Sequence, residues 1–197
     1  MASETNTLPP GIRDPSRRLV TNEKFQDRGT FLKYSCETDG RYTECAVVLK
    51  AGGSNPLHYH TLFEETFTCT SGTLGVQLGQ RIFHLEPGES ATVPIGTTHK
   101  FFNDSGTEPV HFGIKIAPGH EGFEKCIYIA YGLANDGLTH PDGTPKTFLH
   151  LCVLAQLGDL NLTGWSGSIA NVFAKIGVWY ARWSGIEKEL LDKYYYS

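Results

Sequence analysis

The sequence has no basic run longer than the pair Arg17-Arg18. Its 17 Lys and Arg are outnumbered by 21 Asp and Glu, for a formal charge of −4. A protein that holds nucleic acid needs a clustered Lys/Arg face to neutralise phosphates, so no nucleic-acid partner is expected. Nor is there a C-x-x-C: the five cysteines, Cys36, Cys45, Cys69, Cys126 and Cys152, are odd in number and widely spaced. A disulfide framework and a thiolate zinc site both lack support. Small buried thiols in a reducing compartment are expected instead. Residues 1–10 contain no apolar stretch of the kind a secretory signal needs, so a cytoplasmic location is expected. One segment is aromatic enough to touch a membrane, Ser168–Trp183, but it is too short and interrupted to span one.

What is present is turn-rich. The 197 residues include 22 glycines, which favours short strands joined by tight turns. Residues 1–20 lack periodicity and read as an N-terminal arm over the barrel or a partner subunit. From Gly29 to Ile116 the text is strand-like. Thr30–Cys36 and Tyr42–Leu49 flank the hairpin signal Asp39-Gly40, and further short strands are separated by Ser71-Gly72, Gly79-Gln80, Pro87-Gly88 and Pro94-Ile95-Gly96. Val110, Phe112, Ile114 and Ile116 alternate with polar or small residues, which gives that strand one buried face. Beyond Pro118 the period lengthens. Phe123–Ala134, Pro145–Leu157, Ser168–Trp183 and Ile186–Tyr195 read as helices, the third with Ile169, Val172, Phe173, Ile176, Trp179, Tyr180 and Trp183 on one broad face. The expected division is an arm over 1–20, a β-barrel over 21–117 and a helical extension over 118–197.

The stretch from Gly52 to Asn103 carries the chemistry. It reads Gly52, five residues, His58-x-His60, four residues, Glu65, six residues, Gly72; then Gly88, five residues, Pro94-x-Gly96, two residues, His99, three residues, Asn103. Alternate residues of a strand share a face, so His58 and His60 point the same way. Glu65 follows a short turn and adds an anionic oxygen, and His99 follows a turn that aims a further strand inward. Three imidazoles and a carboxylate make a mixed nitrogen/oxygen site suited to one divalent ion, Fe(II), Mn(II), Ni(II) or Zn(II), with positions left for water or substrate. Fe(II) is the first expectation. Glu64 falls on the opposite face from Glu65 and reads as a surface residue. Phe67 and Cys69 share the parity of Glu65, and Phe101 that of His99. With Phe112 they are either plain barrel core or the apolar wall of a substrate pocket. His84, His111, His120, His140 and His150 have no ligand spacing and read as surface or hydrogen-bonding histidines.

At these residues the chain resembles the cupin superfamily, whose two signature motifs correspond to Gly52–Gly72 and Gly88–Asn103. The resemblance covers the barrel alone. It implies a mainly β fold: a cupin-type antiparallel β-barrel or jelly roll (double-stranded β-helix), here with C-terminal α-helices. It implies that His58, His60, Glu65 and His99 are metal ligands, that Gly72, Gly88, Pro94 and Gly96 form turns, and that Asn103 is structural. The superfamily hosts many chemistries, and a fold does not fix a function. Three readings follow. One is a dioxygenase-like enzyme on a small organic molecule, with Glu65 as catalytic base; another is a non-redox isomerase or polyketide-cyclase-like enzyme; the third is a binding protein with a structural metal. A homodimer is expected, and Phe123–Leu157 is expected to lie over part of the barrel, with at least one of its residues bordering the cavity that contains His58, His60, Glu65 and His99.

Overall fold

The computed structural model describes residues 8–23 and 27–197, with side chains other than those of 164–170. The first seven residues of the expected arm, and the side chain of Ile169, therefore lie outside the described residues. The elements are α1 (Pro10–Arg13), β1 (Leu19–Asn22), β2 (Asp27–Lys33), β3 (Thr43–Leu49), β4 (Glu64–Ser71), β5 (Leu74–Leu78), β6 (Arg81–Leu85), β7 (Ser90–Val93), β8 (His99–Phe102), β9 (Val110–Ala117), α2 (Glu121–Asn135), α3 (Phe148–Leu157), α4 (Gly164–Trp183) and α5 (Ile186–Tyr194).

All strand pairs are antiparallel. One sheet runs β1-β2-β3-β9-β4-β7 and the other β6-β5-β8. Isolated bridges Ser54↔Phe102 and His58↔His99 extend the smaller sheet along the far side of β8. Together they form a β-barrel of the jelly-roll type, with C-terminal helices against it. The alternation read from the sequence explains the faces: β9 buries Val110, Phe112, Ile114 and Ile116, and β4 buries Glu65, Phe67 and Cys69 while Glu64 stays exposed. Phe31, Phe67, Leu74, Val76 and Phe112 fill the barrel, each contributing roughly 1.5–3 kcal/mol by leaving water. Asp39 and Gly40, with φ of 52° and 74°, make the expected turn between β2 and β3. Gly72 turns between β4 and β5 at φ 79°, and a Cβ there would come within 3.1 Å of the Pro109 carbonyl. Asn103 is buried: its amide donates to the carbonyls of Leu49 and Glu108 at 3.0 and 2.9 Å.

The N-terminal segment does more than drape. Leu19–Asn22 is an edge strand paired with β2, too short to show a period in sequence. Arg13 donates to the carbonyls of Tyr195 and Tyr196 at 2.7 and 3.0 Å, and Arg17 to that of Tyr194 at 2.9 Å, so both ends of the described chain are tied together. Of the helices, α2 packs against β1 and its neighbours: Phe31 stacks on Tyr34 and Tyr128, whose hydroxyls meet at 2.7 Å. A second core joins α2 to α3, α4 and α5 around Ile129, Leu133, Val153, Leu154, Ala181 and Leu190. Helix α3 begins at Phe148, later than the expected Pro145, because Pro145 is held in a bridge to Thr139.

Candidate metal centre

His58, His60, Glu65 and His99 come from three separate pieces of the barrel and meet at one point, each offering a ligand atom within 4.8 Å of the others. Glu65 stands on β4 between its register partners Val93 and Ile116. His99 opens β8, and its backbone exchanges two hydrogen bonds with His58, at 3.1 and 2.8 Å. Tyr59, between the two histidines, instead pairs both ways with Asn161. The parity argument therefore holds for His58 and His60, although the segment is a pair of bridges and not a continuous strand. The four side chains are 0–5% exposed.

The hydrogen bonds define which ring nitrogens are free. His58 Nδ1 lies 2.7 Å from the Pro56 carbonyl, His60 Nδ1 3.0 Å from that of Asp159, and His99 Nδ1 2.9 Å from that of Thr97. A carbonyl only accepts, so each Nδ1 carries its proton and each Nε2 is left facing inward, where it offers a lone pair whenever the ring is neutral. His58 Nε2 and His60 Nε2 are 3.0 Å apart, and His99 Nε2 is 2.9 Å from Glu65 Oε2. Lone pairs that close repel unless a proton or a cation lies between them. A divalent ion satisfies all of them together, and the Nδ1 bonds are the kind of outer support that orients metal-bound imidazoles. These residues could hold a metal ion.

The ionisation states agree. Burial, with the neighbouring His60 and His99, pushes His58 down to about 4. Burial pushes Glu65 up, but the hydrogen bonds of His60 and His99 outweigh it and hold the carboxyl at about 2. For His99, burial pulls down and the Glu65 carboxylate prevails, raising it. Near neutral pH the centre thus offers a carboxylate and a neutral His58, the forms in which ligands bind metal.

The other singled-out residues sit beside this point. Phe67, Phe101 and Phe112 pack on one another with ring centroids 5.1–6.3 Å apart, and Phe67 lies 6.1 Å from His99. Cys69 is further along β4, its thiol 3.4 Å from the Gly72 carbonyl. His84 pairs with Asp104 at the surface. His120 caps α2, accepting from the Phe123 amide at 3.0 Å, and its ring faces Phe63, which in turn packs on His60. Phe123 meets the same Phe63 edge-on. The extension thus approaches the centre through Phe63, and more directly through Asp159–Asn161. Sequence reading missed those two residues: Gly158-Asp159 reads as a helix stop, and nothing in its spacing ties it to His60, 99 positions away.

The class that fold and site define is a jelly-roll barrel with three buried histidines and a glutamate at one point, a set of groups that could hold a metal ion. Residues 46–116 match the family model of the cupin domain. The match runs from β3 to β9, so the barrel is similar to a cupin domain while the helical extension lies outside the match. Solved structures similar to it include KdgF from Halomonas sp., 16% identical over 55% of this chain and 92% of that one, with a TM-score of 0.46. An RmlC-like cupin from Shewanella frigidimarina NCIMB 400 is 15% identical over 55% and 90%, with a TM-score of 0.47. A sugar phosphate isomerase of the cupin superfamily from Silicibacter pomeroyi DSS-3 is 23% identical over 46% and 59%, with a TM-score of 0.40. No curated protein matches the chain. No described helix is long and apolar enough to cross a membrane.

Proposed function

We propose that this protein is a metal-dependent cupin enzyme acting on a small organic molecule, with dioxygenase-like chemistry as the leading reading. The observation that carries it is the convergence of three Nε2 atoms and Glu65 Oε2 while every Nδ1 is occupied. His58, His60, Glu65 and His99 would hold one divalent ion, Fe(II) before Mn, Ni or Zn. Such an ion supplies Lewis acidity to an enolate or phenolate oxygen of the substrate. Glu65 Oε2, ionised and facing the centre, would accept the proton that this oxygen loses. Phe67 borders His99, with Phe101 and Phe112 packed against Phe67, and this apolar side would favour an aromatic or otherwise apolar substrate. Free thiols at all five cysteines fit a reducing, cytoplasmic setting.

The test is metal analysis of protein purified without a histidine tag, followed by oxygen uptake with catechols, flavonols and enediols. Oxygen consumed in proportion to product supports the dioxygenase reading. Product without oxygen uptake selects the isomerase or cyclase alternative, which uses the same four ligands. A second reading, a small-molecule-binding cupin with a structural metal, draws on the near-complete burial of the four side chains. It predicts one bound metal that survives exhaustive dialysis, with no turnover of any of these compounds.

A further inference from the structure

Asp159 lies in the turn that leaves α3, outside the barrel, yet its polar contacts end on the loop that carries His60. Its carboxylate accepts from the backbone amides of Thr61 and Leu62, the latter at 2.8 Å, and from the Thr61 hydroxyl at 3.0 Å. Its own carbonyl accepts from His60 Nδ1 at 3.0 Å. The residue holds a φ of +50°, a left-handed conformation that a non-glycine residue keeps only where its surroundings impose it. Two residues on, Asn161 donates its side-chain amide back to Asp159 Oδ1 at 3.0 Å, and its backbone pairs both ways with Tyr59. On the opposite side, the His60 carbonyl is held by the Gly96 amide at 2.7 Å. The His60 ring is thus set by a clasp from the helical extension, whereas those of His58 and His99 are set by carbonyls of the barrel itself, at Pro56 and Thr97.

We propose that Asp159 is a positioning residue for the metal centre: its carboxylate fixes the 60–62 turn, and its carbonyl aims the His60 imidazole so that Nε2 faces the ion. This rests on the metal reading above. It makes the extension part of the metal site without contributing a ligand. The experiment is a Co(II) titration of the full-length chain against a chromophoric chelator, with the melting temperature of the metal-free protein measured alongside. Loss of an outer-shell partner typically weakens metal binding 10–100-fold, so Asp159→Ala is expected to weaken Co(II) by about that factor with one site per chain retained. Its Co(II) absorption bands should shift in position or intensity. Asp159→Asn, which keeps an acceptor oxygen and tolerates the left-handed conformation, should restore most of the affinity and stays measurable if the alanine variant folds poorly. Asp136→Ala is the control. It removes contacts to Lys193 and Tyr194 within the extension, neither of them a partner of the 60–62 turn, and should leave affinity and spectrum unchanged even if it lowers the melting temperature. Wild-type affinity and spectrum in Asp159→Ala overturn the proposal and leave the metal reading standing. Equal losses in Asp136→Ala and Asp159→Ala also overturn it, as a general stability effect. A wild-type chain that takes up no Co(II) overturns both.

A separate observation carries a second proposal. Helix α4 packs on α3 through small residues, with Gly177 against Cys152 and Ala181 fully buried, and turns its large side chains outward. Val172, Ile176, Trp179 and Trp183 follow a 4-3-4 spacing, that of a helix-to-helix seam, and Phe173 and Tyr180 flank it. Trp179 is 67% and Trp183 73% exposed. At ~150–250 Å² for a large aromatic side chain, these six leave on the order of 700 Å² of apolar surface in one strip. That exceeds the usual largest patch of a monomer and approaches the ~800 Å² per partner of a stable interface. A helix apolar on both faces belongs in an interior. We infer that the occupant is α4 of a second copy, making a homodimer. The main rival is a lipid surface, which the single unpaired cation of this helix's described side chains, Lys175, attracts only weakly, since Arg182 is paired with Glu187 at 2.7 Å. Light scattering at tens of micromolar should give a dimer, and Ile176→Ser/Trp179→Ser a monomer with an unchanged barrel melting transition. A wild-type monomer overturns the inference, including one that sediments with anionic vesicles. So does a double variant that remains dimeric.

Discussion

The barrel and the helical extension solve burial in opposite ways. In the barrel, Phe67, Phe112, Leu74 and Val76 turn inward from alternating strands and leave no doubt which face is core. In the extension, α3 and α4 meet through small residues, and the largest side chains of α4 face outward. The polar groups differ too. The barrel gathers its buried histidines and its one buried acid, among the described residues, in one cluster whose members satisfy or oppose one another, His58, His60, Glu65 and His99. The extension contributes one buried acid, Glu124, and the Asp159–Asn161 clasp. The comparison teaches that ligand identity belongs to the barrel, whereas the surroundings of His60 belong to the extension.

The largest effect should come from the ligands. His58→Ala or His99→Ala is expected to abolish stoichiometric metal binding while the barrel still folds. If His58→Ala/His60→Ala retains one metal equivalent by elemental analysis, the barrel does not hold the ion where the geometry puts it. Next is packing. Phe67→Ala removes a ring from the middle of the barrel and should cost about 3–5 kcal/mol in denaturant unfolding. Phe148→Ala, on the exposed side of α3, should cost no more than about 0.5 kcal/mol. Similar costs for the two would erase the contrast between the regions.

The same contrast explains what could be read from the sequence. Period-two alternation marked β4 and β9, because each strand has one wet and one dry face, and the spacing of His58, His60, Glu65 and His99 is a local pattern within two short motifs. The helices were legible with ends misplaced by a few residues; Pro145, for one, is held in a bridge to Thr139 and not in the helix. β1 was hidden in a segment of four residues whose strand character exists only against β2. Asp159 could not be found at all: its role arises from a meeting between positions far apart in the chain, and a Gly-Asp pair after a helix has an ordinary local meaning. The pocket assigned to Phe67, Cys69, Phe101 and Phe112 rested on strand parity, which places a side chain inside but does not say whether the inside is filled.

Metal removal separates the regions thermodynamically. An ion bound only by the folded state adds about 2.7 kcal/mol at a hundredfold excess over Kd. Exhaustive chelation should therefore lower the barrel's melting temperature, and re-addition should restore it. An unchanged melting curve would mean that the cluster binds metal weakly or not at all.

A smaller effect than metal loss is expected for the pH response of the junction between the two regions. Glu124, on α2, is fully buried, with Oε1 accepting from the Ser35 amide at 2.6 Å and the Thr43 hydroxyl at 2.7 Å, while Oε2 has no protein partner. Burial raises its carboxyl to about 7, partly opposed by those hydrogen bonds and by Lys125, with Glu121 adding to the rise. A folded-state pKa above the unfolded one means that folding favours the protonated acid. The contribution is complete below the unfolded value near 4.5 and declines as pH rises through about 7. Between pH 6 and 8 the loss should be about 1 kcal/mol, since one pKa unit corresponds to about 1.4 kcal/mol. Glu124→Gln keeps an acceptor for Ser35 and Thr43 and cannot ionise, so its stability should fall less than the wild type's over that range. Every other ionisable group is common to both proteins and cancels in the difference. Parallel stability curves for the two from pH 5 to 8 would show that Glu124 is ionised throughout, and that the seam between barrel and extension is wetter than its burial implies.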